Sequence, residues 1–468
     1  MLIKNPKIEI DPSDPFKKDA LNRLESAEIL TQLLGSIDEP FVLTIDSEWG
    51  TGKTVFIEMW ASYLKKTEFR CLYFNAWEND FADEPLISFI GEMQSAIGKF
   101  KPEDEIKVNQ YFEKAKKLSY SLLKQAIPLA ARIATHGILN LDSTTEKSIS
   151  DFSANMIKEN IDSYEEDKMT LDNFRKNLEK FVGEITASKD GKNKPLVFFI
   201  DELDRCKPTY AVKLLERLKH LFNVTGIVFV LAIDKEQIAH SIKSLYGIGM
   251  DVDGYLRRFI DLDYRLPRAS PEMFCRYLYS KYEFKEYFEE RKSLEFTNDS
   301  SYLLDTFIDL SSVFNFSLRI QEQCFIQFGI ALRTTNPRSP LFPIFLATLI
   351  VLKAVNKSLY DKYVNAEAGY KDVLNYIKET QKGAEFVNGL YGGALEAYMV
   401  FASFDTQNGY QPKIDECNKK LENKDLRNEL RERERNIISI LESLSRQKMP
   451  KILSYLAKKI EIAERFDR

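Results

Sequence analysis

The chain of 468 residues is 44% hydrophobic and 29% charged, with 66 lysines and arginines against 71 aspartates and glutamates. This composition excludes a disordered or low-complexity protein, and the length predicts about three compact units of roughly 150 residues each. The net charge of -5 excludes a protein whose whole surface coats duplex DNA, although it is compatible with a local basic patch.

The first half of the chain alternates helical and strand patterns. Apolar residues at helical spacing predict a helix from Ala20 to Leu34. A β-rich run at 41–45 then leads through a glycine turn into a helix that begins near Lys53, and residues 70–74 predict a second strand. Strand, helix and strand in this order predict a βαβ unit and therefore a parallel sheet.

A charge-rich helical insertion is predicted at about 89–181. Three further strands are predicted at 195–200, 226–233 and 259–266, and the first two are continuously apolar, as central strands buried on both faces should be. Only helical patterns follow Pro267. The predicted fold is therefore α/β, with a parallel sheet sandwiched by helices, a helical insertion and a C-terminal all-helical region.

Nothing in the sequence predicts export or a membrane span. The longest uncharged apolar stretch, 339–352, contains two prolines and is too short to cross a bilayer, so it predicts a buried helix. The five cysteines lie far apart in the sequence, with no CxxC pair, and this predicts reduced thiols. The N-terminus has no apolar signal core, so we expect a soluble cytoplasmic protein. The charged tail from Lys413 onward predicts a solvated helical surface, with a nucleic-acid arm as the alternative.

Residues 47–54, between the first strand and its helix, nearly match a Walker A phosphate-binding loop. Two glycines allow backbone N–H groups to fold around a phosphate, and the helix N-terminus favours the same anion. Lys53 is predicted to reach the β- and γ-phosphates, and the Thr54 hydroxyl to bind Mg²⁺. Ser47 replaces the usual glycine, which predicts strain if that position needs a positive φ. The predicted nucleotide-binding residues here are Glu48, Trp49, Gly50, Thr51, Gly52, Lys53, Thr54 and Val55.

Acidic residues end the third and fourth predicted strands, at the edge of the sheet where ligands of α/β proteins bind. Asp201 is predicted to hold Mg²⁺ directly or through water, and Glu202 to polarise the attacking water, with a surface acid as the alternative for Glu202. Asp204 and Arg205 are either part of the same site or a local ion pair at the start of a helix. Asp234 is predicted either to sense the γ-phosphate or to cap the helix that follows it.

Together these motifs resemble the KAP family of P-loop NTPases, relatives of the AAA+ and STAND ATPases. The matches run from about residue 19 to 319. They comprise Asp19-Ala20-Leu21-Asn22-Arg23, Trp49 inside the loop, Phe74-Asn75-Ala76-Trp77, and the run Ile200 to Cys206. The resemblance implies that ATP and Mg²⁺ are bound and that Arg23 lies near the nucleotide base. It divides the chain into an NTPase core at 1–267, a lid-like domain at 268–355 and a C-terminal helical region at 356–468.

The resemblance gives meaning to three more arginines and one apolar stretch. Arg257 or Arg258 corresponds to an arginine finger that acts on a neighbouring subunit, and Arg319 to a second sensor on a lid helix; ordinary surface arginines are the alternative. Many family members carry transmembrane helices between the two Walker motifs. The stretch at 120–141 contains charges here, which implies that this chain has no such span.

The leading hypothesis is an ATP-hydrolysing switch whose helices meet a protein partner or another copy of the chain as a homo-oligomer. The association of bacterial family members with phage exclusion implies a role in anti-phage defence. Two alternatives stay open: a motor stimulated by nucleic acid, and a scaffold that binds nucleotide with little turnover.

Overall fold

A computed structural model describes residues 8–82, 84–100, 104–125, 146–187, 193–221, 223–292, 297–403, 409–446 and 451–464. The described residues form two compact units. We call the first, with residues 8–19 and 23–267, the sheet unit, and the second, with residues 20–22 and 268–468, the helical unit. The three-domain division remains a prediction.

The sheet unit contains five strands, all paired in parallel, in the spatial order β2-β3-β4-β1-β5. The strands are β1 Phe41–Asp46, β2 Cys71–Asn75, β3 Leu196–Asp201, β4 Ile227–Ile233 and β5 Leu262–Arg265. The predicted parallel sheet is confirmed. The fifth strand is shorter than predicted because residues 257–259 form a turn, and only four residues of this edge strand pair with β1.

The centre of the sheet is buried on both faces. Every residue of β3 and β4 is buried, as their continuously apolar sequences predict. On one face Phe198 packs against Phe229 with ring centroids 5.5 Å apart, and on the other Phe199 meets Trp60 edge-on at 5.3 Å. Two apolar cores therefore hold the sheet between its helical layers.

Eight α-helices are described in the sheet unit, and the predicted helical insertion corresponds to α3, α4 and α5 between β2 and β3. The helix predicted from Ala20 begins only at Leu24, because Asn22 has a φ of +54° and breaks the helical path. The helices are α1 Leu24–Leu34, α2 Lys53–Lys66, α3 Pro85–Phe100, α4 Glu105–Gln125, α5 Glu146–Thr186, α6 Pro208–Leu221, α7 Lys235–Tyr246 and α8 Val252–Leu256.

The helical unit surrounds one large aromatic and aliphatic core. Its described helices are α9 Pro271–Lys281, α10 Phe284–Lys292, α11 Asp299–Val313, α12 Leu318–Arg333, α13 Pro343–Val355, α14 Lys357–Val364, α15 Tyr370–Lys378, α16 Gly383–Asn388, α17 Leu390–Ala402, α18 Gln411–Leu421, α19 Asn428–Arg446 and α20 Ile452–Glu464. Helix α13 is buried from Pro343 to Lys353, which confirms the buried helix predicted there.

Within the described residues, no helix is long and apolar enough to cross a membrane. Most of the stretch at 120–141 lies outside those residues, so the prediction for it stays a prediction. All five cysteines are buried and unpaired.

The charged C-terminal tail is only partly a solvated surface. Glu396, Lys413, Arg433 and Glu434 are buried and linked to one another, and we call them the ion cluster. Lys413 lies 2.5 Å from a carboxylate oxygen of Glu396, while Arg433 pairs with Glu396 and, at 2.7 Å, with Glu434. The prediction of solvated charges is therefore wrong for Lys413, Arg433 and Glu434. Lys413 and Arg433 pair with Glu396 of an earlier helix, and Glu434 pairs with the adjacent Arg433.

Candidate nucleotide site

The strand register brings the predicted site residues to one edge of the sheet. Asp46 at the end of β1 lies opposite Ile233 of β4, and Asp201 at the end of β3 lies opposite Ala232. The loop after β1 and the acidic residues after β3 and β4 therefore meet at the carboxyl edge, where open α/β sheets bind ligands.

The loop that follows β1 has the backbone shape of a phosphate-binding turn. Gly50 and Gly52 have φ values of +77° and +83°, a region that favours glycine, and Gly52 directly precedes α2. Ser47 lies outside that region, so the strain considered for it is absent. Its backbone N–H donates to the Ile233 carbonyl at 3.1 Å, which anchors the loop to β4.

Lys53 carries a buried cation at the start of α2. Its ammonium donates to the Ser47 carbonyl and lies 4.0 Å from the Asp204 carboxylate. Burial lowers the pKa of Lys53, and the surrounding acids, Asp204 first, oppose this shift without cancelling it. Burial thus makes the charged form of Lys53 costly, and an anionic ligand at the start of α2 would stabilise it.

Trp49 connects the loop to both acidic segments. Its backbone N–H donates to Asp234 at 3.1 Å, and its indole N–H donates to Asp204 at 2.5 Å. Asp204 also accepts the backbone N–H of Asp234 at 3.2 Å. The local Asp204–Arg205 ion pair considered from the sequence is wrong, since Asp204 instead braces the loop and Arg205 pairs with Glu202.

Asp234 caps α7. Its carboxylate accepts the backbone N–H groups of Glu236 and Gln237 at 3.1 and 3.4 Å. The capping alternative is confirmed, and Asp234 additionally holds Trp49. A direct role toward the γ-phosphate remains a prediction.

The Thr54 hydroxyl and the Asp201 carboxylate, the two groups predicted to hold the metal, lie close enough for Thr54 to lower the pKa of Asp201. Burial raises the pKa of Asp201, and hydrogen bonds from Thr54, Tyr73 and the Glu202 backbone oppose this. A hydroxyl and a carboxylate are suitable oxygen ligands for Mg²⁺, which usually takes only one or two protein ligands beside phosphates and waters. Among the described residues no group of three or more His, Cys, Asp or Glu could hold a metal ion, and the metal-binding roles of Thr54 and Asp201 remain predictions.

Glu202 is positioned by strained backbone and two polar neighbours. Its φ is +59°, in the left-handed region that non-glycine residues rarely adopt. One carboxylate oxygen lies 2.8 Å from the Arg205 guanidinium, and the other accepts from the Asn75 amide at 3.2 Å. The Arg205 guanidinium also lies 5.6 Å from the Trp77 ring. Both oxygens of the predicted base are thus engaged.

Arg23 is buried behind the loop. Its guanidinium donates to the carbonyls of Thr51 at 2.9 Å, Gly52 at 3.2 Å and Pro267 at 3.3 Å. Burial lowers its pKa to about 10, against the opposing effect of Asp19. These contacts brace the loop backbone, and the predicted approach of Arg23 to the nucleotide base stays a prediction.

The remaining predicted residues lie at the surface. Glu48 is exposed and Val55 is half-buried, while Arg257 and Arg258 are exposed at the end of α8. Arg319 is exposed at the second position of α12, in the helical unit. The finger and sensor roles of these arginines remain predictions.

Sequence reasoning missed the side chains that orient the acids. Tyr73 donates to Asp201 at 2.9 Å, and Asn75 and Arg205 contact Glu202. The alternation of β2 is a signal for two of them, because Tyr73 and Asn75 share one face of a strand that pairs with β3.

Comparison with known proteins matches the chain to a relative, a solved structure and a family model. Uncharacterized protein MJ0182 of Methanocaldococcus jannaschii is 29% identical over 180 residues, covering 35% of this chain and 90% of that protein. A crystal structure of a DNA replication initiation factor matches 83% of this chain and 99% of its own, with 12% identity and a TM-score of 0.26. The family model described as KAP family P-loop domain matches residues 23–335, well over half of the chain. The chain therefore belongs to the KAP family of nucleotide-binding P-loop NTPases.

Proposed function

We propose that this protein is a Mg²⁺-dependent ATPase that acts as a nucleotide-driven conformational switch. The observation that carries the proposal is that the loop after β1 is fixed at the acidic edge of the sheet, where Trp49 donates to both Asp234 and Asp204. Asp201 ends β3 at the same edge, close enough to Thr54 at the start of α2 for the hydroxyl to lower its pKa. Phosphate binding, metal binding and water activation would then share one edge of the sheet.

The phosphates are proposed to lie against the loop and the N-terminus of α2. Backbone N–H groups, the helix dipole and the buried Lys53 cation would all stabilise negative charge there. Thr54 and Asp201 would hold Mg²⁺, which when bound neutralises charge on the phosphate oxygens. Trp49, through Asp204 and Asp234, keeps the loop aligned with both acidic segments.

Glu202 is proposed to accept a proton from the water that attacks the γ-phosphorus. The bond between the γ-phosphorus and the oxygen that bridges the β- and γ-phosphates breaks, and ADP leaves with that oxygen. Its carboxylate is shared between Arg205 and Asn75 in this conformation. Each carboxylate oxygen has two lone pairs, so the water can bind Glu202 beside these contacts or displace one of them. Displacement of the Arg205 contact would leave a stronger base, and this local rearrangement is the proposed physical basis of the switch.

The decisive experiment is phosphate release from Mg-ATP by the wild type beside two variants. Lys53→Ala should lose nucleotide affinity and release, because the buried cation is gone. Glu202→Gln should bind ATP normally and lose about 10²- to 10⁴-fold in turnover, the usual contribution of a general base. Lys65→Ala is the matched control, since Lys65 is an exposed lysine at the far end of the same helix. Full release by Lys53→Ala would refute the proposed site.

A nucleotide-binding scaffold with little turnover is the second candidate. The observation that favours it is the engagement of both Glu202 oxygens by Arg205 and Asn75. Tight ATP binding without release, unchanged in Glu202→Gln, would support the scaffold over the ATPase.

The partner of the switch is proposed to be a protein, including a second copy of this chain. Arg257→Ala and Arg258→Ala, each alone and mixed with Glu202→Gln, test an arginine acting between subunits. If neither substitution lowers release in any combination, the finger proposal fails. Addition of DNA or RNA gives the other arm: stimulation that falls steeply with salt would favour a nucleic-acid motor.

Anti-phage defence is the biological setting that membership of the family suggests. Bacteria that express the wild type should then plate fewer phages than bacteria that express Lys53→Ala. Equal plating across a broad phage panel would count against this setting and leave the biochemical proposal intact.

A further inference from the structure

Tyr73 of β2 lies beside the proposed metal site without being one of its ligands. Its hydroxyl donates to one carboxylate oxygen of Asp201 at 2.9 Å. We propose that Tyr73 is a positioning residue that orients the Asp201 carboxylate toward a nucleotide-bound magnesium ion. This inference rests on the proposed function, and it adds a residue that orients one of the proposed metal ligands.

The sheet register explains why the two side chains meet. Tyr73 pairs with Phe199 of the neighbouring β3, so Asp201 lies two residues further along on the same face. With strands about 4.8 Å apart and a rise of about 3.3 Å per residue, such diagonal neighbours are about 8 Å apart at the backbone, a gap that a long or aromatic side chain can bridge. The phenol spans that gap and delivers a hydroxyl to the carboxylate.

The other two contacts of Asp201 cannot supply the same anchor. One comes from the backbone N–H of the adjacent Glu202 at 2.8 Å, which moves with Asp201 itself. The other group is the Thr54 hydroxyl, which lowers the pKa of Asp201 and is expected to turn its oxygen toward the metal. Tyr73 is the contact that arises from a separate strand and that stays available when the metal is bound.

The burial of Asp201 makes orientation matter. Asp201 is only 1% exposed, so water cannot easily replace a hydrogen-bond donor that its carboxylate has lost. A carboxylate oxygen has two lone pairs. When one lone pair accepts the hydrogen bond from Tyr73, the direction of the second lone pair is fixed as well. Loss of the phenol hydroxyl would let the carboxylate rotate and would weaken its interaction with a metal.

The test is the binding of a fluorescent ATP analogue to full-length Tyr73→Phe, measured over a titration of Mg²⁺ and in excess EDTA. The substitution keeps the ring and removes the hydroxyl. We expect the Mg²⁺ concentration for half-maximal binding to rise about tenfold, which corresponds to about 1.4 kcal/mol. Affinity in EDTA should stay at the wild-type value, because the hydroxyl acts through the metal ligand.

Tyr264→Phe is the matched control. Tyr264 lies on β5 of the same sheet, is also half-buried, and donates its hydroxyl to Ser26 at 2.8 Å, away from Asp201. Removal of the Tyr264 hydroxyl should leave the Mg²⁺ dependence of nucleotide binding unchanged. An unchanged Mg²⁺ dependence in Tyr73→Phe, or equal weakening with and without Mg²⁺, would overturn the proposal.

A double-mutant cycle with Asp201→Asn provides the second measurement. If Tyr73 acts through Asp201, then Tyr73→Phe should change Mg²⁺ dependence no further once Asp201 is replaced. Additive effects would assign Tyr73 to another role and refute the inference. A wild type that binds nucleotide equally with and without Mg²⁺ would instead refute the proposed function, so the two failures are distinguishable.

Discussion

The nucleotide site of the sheet unit and the ion cluster of the helical unit are both buried groups of opposite charges, yet they are balanced differently. Lys53 lies 4.0 Å from its nearest carboxylate partner, Asp204, and burial lowers its pKa. Lys413 lies 2.5 Å from Glu396; burial alone would lower its pKa, but Glu396 and Glu416 raise it above the ordinary value.

This difference distinguishes a binding site from a structural element. At Lys53 burial outweighs the surrounding acids, so an anionic ligand can stabilise its charged form further, as expected where pKa values are perturbed for function. At Lys413 the acids outweigh burial, so its charge is already stabilised by the contacts that join the helices. The ion cluster links α17, α18 and α19 in this way, and the following predictions test the contrast.

The largest expected effect on stability is that of Glu396→Gln. The substitution leaves Lys413 and Arg433 buried with a weakened partner, which typically costs about 3–5 kcal/mol. Urea denaturation followed by circular dichroism measures it. Glu416→Gln is the control, because Glu416 is exposed and its pairs should contribute about 1 kcal/mol or less. Equal losses in the two variants would remove the ion cluster as a special feature.

Lys53→Met should behave in the opposite way. An apolar side chain of similar length removes a cation whose burial outweighs its partners, and Asp204 keeps its hydrogen bonds from Trp49 and Asp234. Stability should therefore change by less than about 1 kcal/mol or rise. Nucleotide affinity should fall about 100-fold, measured with the same fluorescent ATP analogue. A loss of stability as large as that of Glu396→Gln, at unchanged affinity, would show that Lys53 is structural.

Arg205→Ala sharpens the comparison within the nucleotide site itself. It removes the ion pair on one Glu202 oxygen, whose partly exposed geometry suggests a contribution of about 1 kcal/mol. Phosphate release should therefore rise about fivefold. Lys207→Ala is the control, since Lys207 is exposed and contacts the Asp80 carbonyl rather than Glu202. Slower release in Arg205→Ala would mean that the arginine assists turnover.

The smallest expected effect is a dependence of the helical unit on acid. Burial alone would raise the pKa of Glu396, but Lys413 and Arg433 lower it below the ordinary value. The stabilisation is therefore present above the unfolded pKa of about 4.3 and is lost as the pH falls through the lower folded pKa. Urea midpoints measured between neutral and acidic pH should decline in this window for the wild type. Glu396→Gln should lack this component of the decline.

The sequence predicted the parts of the fold that depend on local pattern. Continuous apolar runs identified β3 and β4, and glycines with a lysine and threonine identified the loop at the start of α2. Even so, Asn22 adopts a positive φ that no periodicity reveals, so α1 begins later than its apolar pattern predicts. Such conformations are set by the surrounding chain rather than by the residue alone.

By itself, then, the sequence determined the sheet, the phosphate loop and the acids that face it, because a strand, a glycine turn and a helix N-terminus are encoded by neighbouring residues. Tertiary structure decided which partner each charge meets. Asp204 contacts Trp49 rather than Arg205, Tyr73 reaches Asp201, and Lys413 is buried against Glu396 instead of facing water. Electrostatic interactions act through space, so the balance of each buried charge depends on residues far away in the sequence.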